Sequence, residues 1–133
     1  MFGSLDISTS GLLAQRTRLD SVAANVANAN TITTDGVTNS PFRRRMVILA
    51  PGDGKGNAQG VHVKTILEDS APFNKRIMPG HPLADENDVV LHPNIEPIIE
   101  QVNAMEASRA YEANIITAEA TKRMIANTLT LLS

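Results

Sequence analysis

From Asn94 to Leu132 the chain contains no glycine and only one proline, Pro97. Proline suits the first turn of a helix, where its missing N–H has no intrahelical partner to lose. Asn94 is placed to act as an N-cap, and Glu96 and Glu100 put negative charge near the positive end of the helix dipole. Strong helix formers follow, among them Gln101, Ala104, Met105, Glu106, Ala107, Arg109 and Ala110. At ~1.5 Å per residue the stretch predicts a helix of roughly 55–60 Å. That is too long for one element inside a compact globule of 133 residues. Such a helix needs partners along its length.

Its apolar face supports the same view. Tyr111, Ile115, Ala118, Ile125, Leu129 and Leu132 recur at helical spacing, interrupted by Lys122. Ile98, Val102 and Met105 begin a second stripe that is expected to drift round to the first. A second helix is predicted over residues 4–29, where Leu5, Leu12, Leu19 and Val26 repeat every seven residues, with Val22 and Ala29 on the flanking line. Ser8 and Gln15 fill other positions on that line, which suggests several neighbours for this helix and not one. The run Asn25–Thr31 ends it. Asparagine tolerates the left-handed conformation at a helix C-terminus, and its amide can also bond across an interface. Both readings stay open for Asn25 and Asn28.

Residues 31–93 are different material, holding most of the glycines and every proline except Pro97. Arg43–Leu49 and Gly60–Leu67 read as strands flanking the turn Pro51–Asn57, and Glu68–Ile77 as a further extended segment. Pro79-Gly80-His81-Pro82 forces a turning chain ahead of the acidic run Asp85-Glu86-Asn87-Asp88. The predicted fold is mainly α. Residues 1–30 and 94–133 form a discontinuous helical core, an antiparallel and coiled-coil-like helix pair. Residues 31–93 form an inserted β-rich lobe at its far end.

Composition narrows the function. Hydrophobic residues make up 42%, yet aromatics only 3%, so material for a dense core is short. A net charge of −2 argues against a nucleic-acid or membrane-surface role. There is no cysteine, hence no disulfide or thiolate site. No signal-peptide pattern or transmembrane-length apolar run is legible. His81, Asp85, Glu86, Asp88 and His92 match no metal-ligand spacing, and the acidic run lacks the glycine and terminal glutamate of an EF-hand. Gly52-Asp53-Gly54-Lys55-Gly56 lacks the features of a phosphate loop and reads as a hairpin tip. Arg43-Arg44-Arg45 has no interleaved aromatics and points to a strand-edge or subunit contact with an acidic neighbour. Three scattered histidines give no triad. No catalytic, cofactor-binding or metal residue is assigned.

Three stretches together resemble one family. Leu12-Leu13-Ala14-Gln15-Arg16, Leu19-Asp20 and Asn25–Thr31 are similar to the N-terminal signature of bacterial flagellar rod and hook proteins. Pro79–Pro82 through Ala84–Asn87, then Pro93-Asn94, resembles the segment of the proximal-rod C type. Met105–Asn114 resembles the family's C-terminal helix motif. Asp88-Val89 stands where that family usually has Gly-Tyr, and the segment after Thr31 is longer than usual. The resemblance implies a structural subunit of the basal-body rod, a helical tube that acts as a drive shaft in motility. It implies export by the flagellar type III apparatus without a cleaved signal peptide, and a place in the periplasmic rod. The partners it implies are other rod proteins, the membrane-ring/rod junction protein and same-type subunits, with no nucleic acid or small-molecule substrate. Leu5, Leu12, Leu19, Val22 and Val26 and the Tyr111–Leu132 face are the expected packing residues. Asn25, Asn28 and Arg109 are the expected polar register contacts. The alternative is a soluble coiled-coil adaptor or regulator that binds a partner helix.

Overall fold

The computed structural model describes residues 2–133. Two helices, α1 (Phe2–Ala27) and α2 (Pro97–Leu132), enclose four short strands in chain order: β1 (Arg45–Pro51), β2 (Val61–Glu68), β3 (Asn74–Ile77) and β4 (Val89–His92). The helices run antiparallel. Ser4 meets Thr121 through their hydroxyls at 3.5 Å, Arg18 approaches Glu106 at 3.8 Å, and Asn25 bonds Glu100 at 3.0 Å. Gly11 lies between the first two contacts, and a Cβ there would come within 2.7 Å of Asn114. On α1 these contacts step seven residues at a time, through Ser4, Gly11, Arg18 and Asn25. The line of closest approach is therefore one position earlier than Leu5, Leu12, Leu19 and Val26. Small and polar side chains hold it, because only they let the two backbones come this close.

Two features differ from the sequence expectation. Asn94 does not cap α2: Glu96 precedes the helix, and no side chain caps it. The Asn94 carboxamide instead accepts the Arg44 N–H at 3.0 Å and donates to the carbonyls of Asp69 and Ala71, both at 3.2 Å. Backbone groups of the inserted segment outcompeted the helix N–H groups for this amide. Nor does the β-rich segment sit only at the far end. β1 and β2 form an antiparallel hairpin with a register shift between Ile48 and Leu49. That hairpin lies back along α1: Arg45 is held at Asn25, and the Val61 N–H donates to Ser10 Oγ at 3.1 Å. A two-stranded ribbon alone is marginal in water, so it takes a helix as its second layer.

β3 and β4 form a second antiparallel pair, Asn74 opposite His92 and Ile77 opposite Val89. Of the predicted segment 68–77, Glu68 ends β2 and only Asn74–Ile77 forms a strand of its own. Asn39 acts as a substitute strand at the β4 edge: its oxygen accepts the Leu91 N–H at 2.7 Å and its amide donates to the Leu91 carbonyl at 2.9 Å. Buried apolar residues among those described are Ala14, Val90, Ile95 and Ala107, with Pro41 and Pro93. Two of these are alanines, which bury little area each. Ser8, Asn25, His92, Glu100 and Thr121 are buried beside them.

Candidate assembly surface

A polar cluster fastens the hairpin to both helices. Glu100, in the first turn of α2, is fully buried. One of its oxygens accepts from Asn25 Nδ2 of α1 at 3.0 Å, and the other accepts from Arg44 Nε. Arg44 also reaches Asp69 at 3.2 Å. Asn25 pairs with the start of β1 in both directions, accepting the Arg45 N–H at 2.9 Å and donating to the Arg45 carbonyl at 2.9 Å. A buried carboxylate is tolerated only when paired and hydrogen-bonded, and here it is both. Burial alone would lower the Arg44 pKa, but the hydrogen bond and charge of Glu100 outweigh that and raise it. Asp69 is held below the usual carboxylate range, first by the Ala71 N–H and, against burial, by Arg44.

The arginine run thus splits three ways. Arg43 donates to the carbonyls of Asp69 and Ala71 and lies over the Phe73 ring at 4.1 Å. Arg44 takes the acidic partners. Arg45 is exposed and lies 5.2 Å from the Phe42 ring centroid. The two asparagines at the end of α1 also divide. Asn25 bonds across to α2, whereas Asn28 Nδ2 donates to the Ala24 carbonyl of its own helix at 2.8 Å and its oxygen receives the Thr31 hydroxyl. Among the described residues no three His, Asp or Glu side chains gather as a metal site, and no helix is long and apolar enough to cross a membrane.

The apolar residues named from the sequence fall on two sides. Leu5, Leu12, Leu19, Val22, Tyr111, Ile115, Ala118 and Ile125 are partly buried, flanking the line of closest approach. Val26 is half exposed, Leu129 is 62% and Leu132 80% exposed, and Arg109 is open to solvent. The second stripe does not drift inward. Ile98, Val102, Met105, Ile116 and Leu131 are exposed. At 3.6 residues per turn they lie on the side of α2 turned away from Glu100 and Ala107. A groove of about 770 Å³, walled by Leu19, Val22, Ala23, Val26, Pro97 and Ala104, opens between the helices near their joined end. Contiguous apolar surface of this kind marks a packing site for another chain.

From the sequence Glu100 is expected at the helix dipole and the arginine run at an acidic neighbour, but nothing there joins Arg44 to Glu100, and Gly11, Ala107 and Thr121 have no expected contact role. The available signal was the seven-residue step Ser4-Gly11-Arg18-Asn25 on one helix and Glu100-Ala107-Asn114-Thr121 on the other. A search for apolar periodicity passes over such a line.

Two long helices, a thin core and apolar faces left uncovered define a protein of the helical-pair class. Comparison with known proteins gives the family. Residues 5–32 match the family described as flagella basal body rod protein. The flagellar basal-body rod protein FlgC of Salmonella typhimurium is 42% identical over 130 residues, covering 95% of this chain and 93% of the relative. The FlgC protein of Bacillus subtilis is 38% identical, covering 96% and 95%, and that of Borreliella burgdorferi is 34% identical, covering 99% and 97%. The chain belongs to the flagellar basal-body rod protein family, in its FlgC group. Its relatives are named as rod proteins of the basal body, not as enzymes.

Proposed function

We propose that the chain is a subunit of the proximal rod, assembling with other rod proteins into a helical tube that carries torque from the membrane ring toward the hook. The observation that carries this reading is the uncovered apolar surface of the helix pair, the outward stripe of α2 together with the groove beside Leu19. A helix pair that buries few large side chains within its own chain gains most by burying them against neighbours. Contacts between different faces propagate along a filament instead of closing into a ring. On this reading α1 and α2 are staves of the tube wall, paired in a coiled-coil-like manner. Their partners are same-type subunits, other rod proteins and the junction protein of the membrane ring. The chain reaches the periplasmic rod through the flagellar type III export apparatus, without signal-peptide cleavage.

Leu19→Asp tests the reading, because it places a charge in the groove without touching the Asn25–Glu100 contact. The expected outcome is normal export and helix content, with rod assembly and swarming lost. A motile Leu19→Asp strain would sink it.

A further inference from the structure

Beneath β1, between the hairpin and the helix pair, lies a second pocket of about 230 Å³. Its charged and polar lining comes from Arg18, Ser21, Arg44, Arg45, Asn103 and Glu100. The charges do not balance. Arg44 is matched by Glu100 and Asp69. Arg45 makes no ion pair among the described residues. Arg18 has Glu106 as its one carboxylate, at 3.8 Å and with that side chain 67% exposed, and donates to Gln15 Oε1 at 3.1 Å. Arg18 and Arg45 thus line one small pocket with a single exposed carboxylate between them, in a chain whose net charge is −2. The rest of the lining is aliphatic, Val22 and Met46–Ile48, which suits the methylenes of a long acidic side chain better than a bare inorganic anion.

The matching feature lies on the same chain. The turn Asp85-Glu86-Asn87-Asp88 is exposed throughout. Asp85 Oδ1 receives the N–H groups of Asn87 at 2.8 Å and Val89 at 2.9 Å, and Asp88 is held at φ 60. The turn is thus fixed in shape before any contact, so little ordering cost remains on binding. Among the described residues, none of its three carboxylates makes an ion pair. We propose that the pocket under β1 receives an acidic side chain from the 85–88 turn of a second copy, with Glu86 as the inserted residue and Arg18 and Arg45 as its partners. Pocket and turn are different faces, so the contact is heterologous and leaves one of each open at the ends of a row of copies. Opposite charges also fix the register of such a contact and disfavour wrong ones. The inference rests on the rod reading, since it supplies one contact between same-type subunits.

The lack of native cysteine makes disulfide trapping clean. Arg18→Cys and Glu86→Cys variants are co-expressed in one strain, basal bodies are isolated and oxidised, and the chain is detected on a non-reducing gel. A dimer that forms only when both variants are present supports the contact. Basal bodies containing both variants but no dimer overturn it. If either variant fails to incorporate, charge exchange decides. Arg18→Glu alone is expected to reduce incorporation on the order of tenfold. Arg18→Glu with Glu86→Arg is expected to restore it, and continued failure of the double variant overturns the contact. Absence of the unmodified chain from basal bodies would instead reject the rod reading itself.

Discussion

Single residues decide how the inserted segment is attached. Glu100 has no solvent to fall back on, and its two oxygens serve two different elements. Glu100→Ala leaves the Arg44 guanidinium with Asp69 alone and the Asn25 amide without its helix partner. A loss of about 3 kcal/mol is expected in denaturant unfolding of the purified chain. Replacing the pair together, Glu100→Met with Arg44→Met, is expected to cost less than Glu100→Ala, because no fully buried charge is then left unmatched; Asp69, the other partner of Arg44, is partly exposed and keeps the Ala71 N–H. Asp88 offers a change in the opposite direction. It sits at φ 60, a conformation that costs a side chain energy and costs glycine none. Asp88→Gly is expected to raise stability by ~0.5–1 kcal/mol, read as a higher melting temperature. An unchanged or lower value would show that the Asp88 side chain compensates in a way its contacts do not reveal.

At the scale of elements, the helix pair is governed by close approach and not by leucine packing. Gly11 is a point of close approach, and an added Cβ would meet the Asn114 side chain at 2.7 Å. Glycine also weakens a helix interior by ~1 kcal/mol relative to alanine. Gly11→Ala is therefore expected to fall within ~1 kcal/mol of neutral, the helix gain offsetting a small shift of Asn114. Gly11→Ile is expected to lose ~2–3 kcal/mol, because a branched side chain forces the backbones apart. Equal effects of the two substitutions would contradict the close-approach account. The long helices themselves were legible from spacing and composition, and so was the hairpin. The second strand pair was only half legible: 68–77 read as one extended run, while Val89–His92 was not singled out as its partner. Pairing between Asn74 and His92 is a long-range choice that no local pattern encodes.

For the whole molecule, the thin core makes polar contacts carry unusual weight, and acid is the lever that removes them. Asp35 is held well below the usual carboxylate range, first by the Thr38 hydroxyl and then by the N–H groups of Thr38 and Val37. Asp53 is lowered by the N–H groups of Lys55 and Asn57, and Asp69 by Ala71 and Arg44. A carboxylate with a depressed folded pKa adds stability above its unfolded pKa, about 3.9, and loses it as pH falls further. The midpoint of urea unfolding is therefore expected to stay level from neutral pH to about 5 and to drop below about 4. Asp35→Asn is expected to flatten part of that drop. A midpoint that rises on acidification would contradict the assignment.

Sequence alone determined that this chain is two long helices around a glycine- and proline-rich β segment. Absence of glycine over residues 94–132 and seven-residue periodicity are local properties, readable without knowing what lies opposite. The motifs of the flagellar rod family were legible in the same way. Only the tertiary structure decided which side of each helix faces its partner. It placed Gly11, Asn25, Glu100 and Thr121 at the contact, flanked by partly buried leucines of α1, and turned Ile98, Val102 and Met105 of α2 to the outside. The physical reason is that close backbone approach and a shared buried carboxylate depend on atoms far apart in the chain. Those terms together favour a seam of small and polar residues and leave much of the apolar surface for other chains to cover.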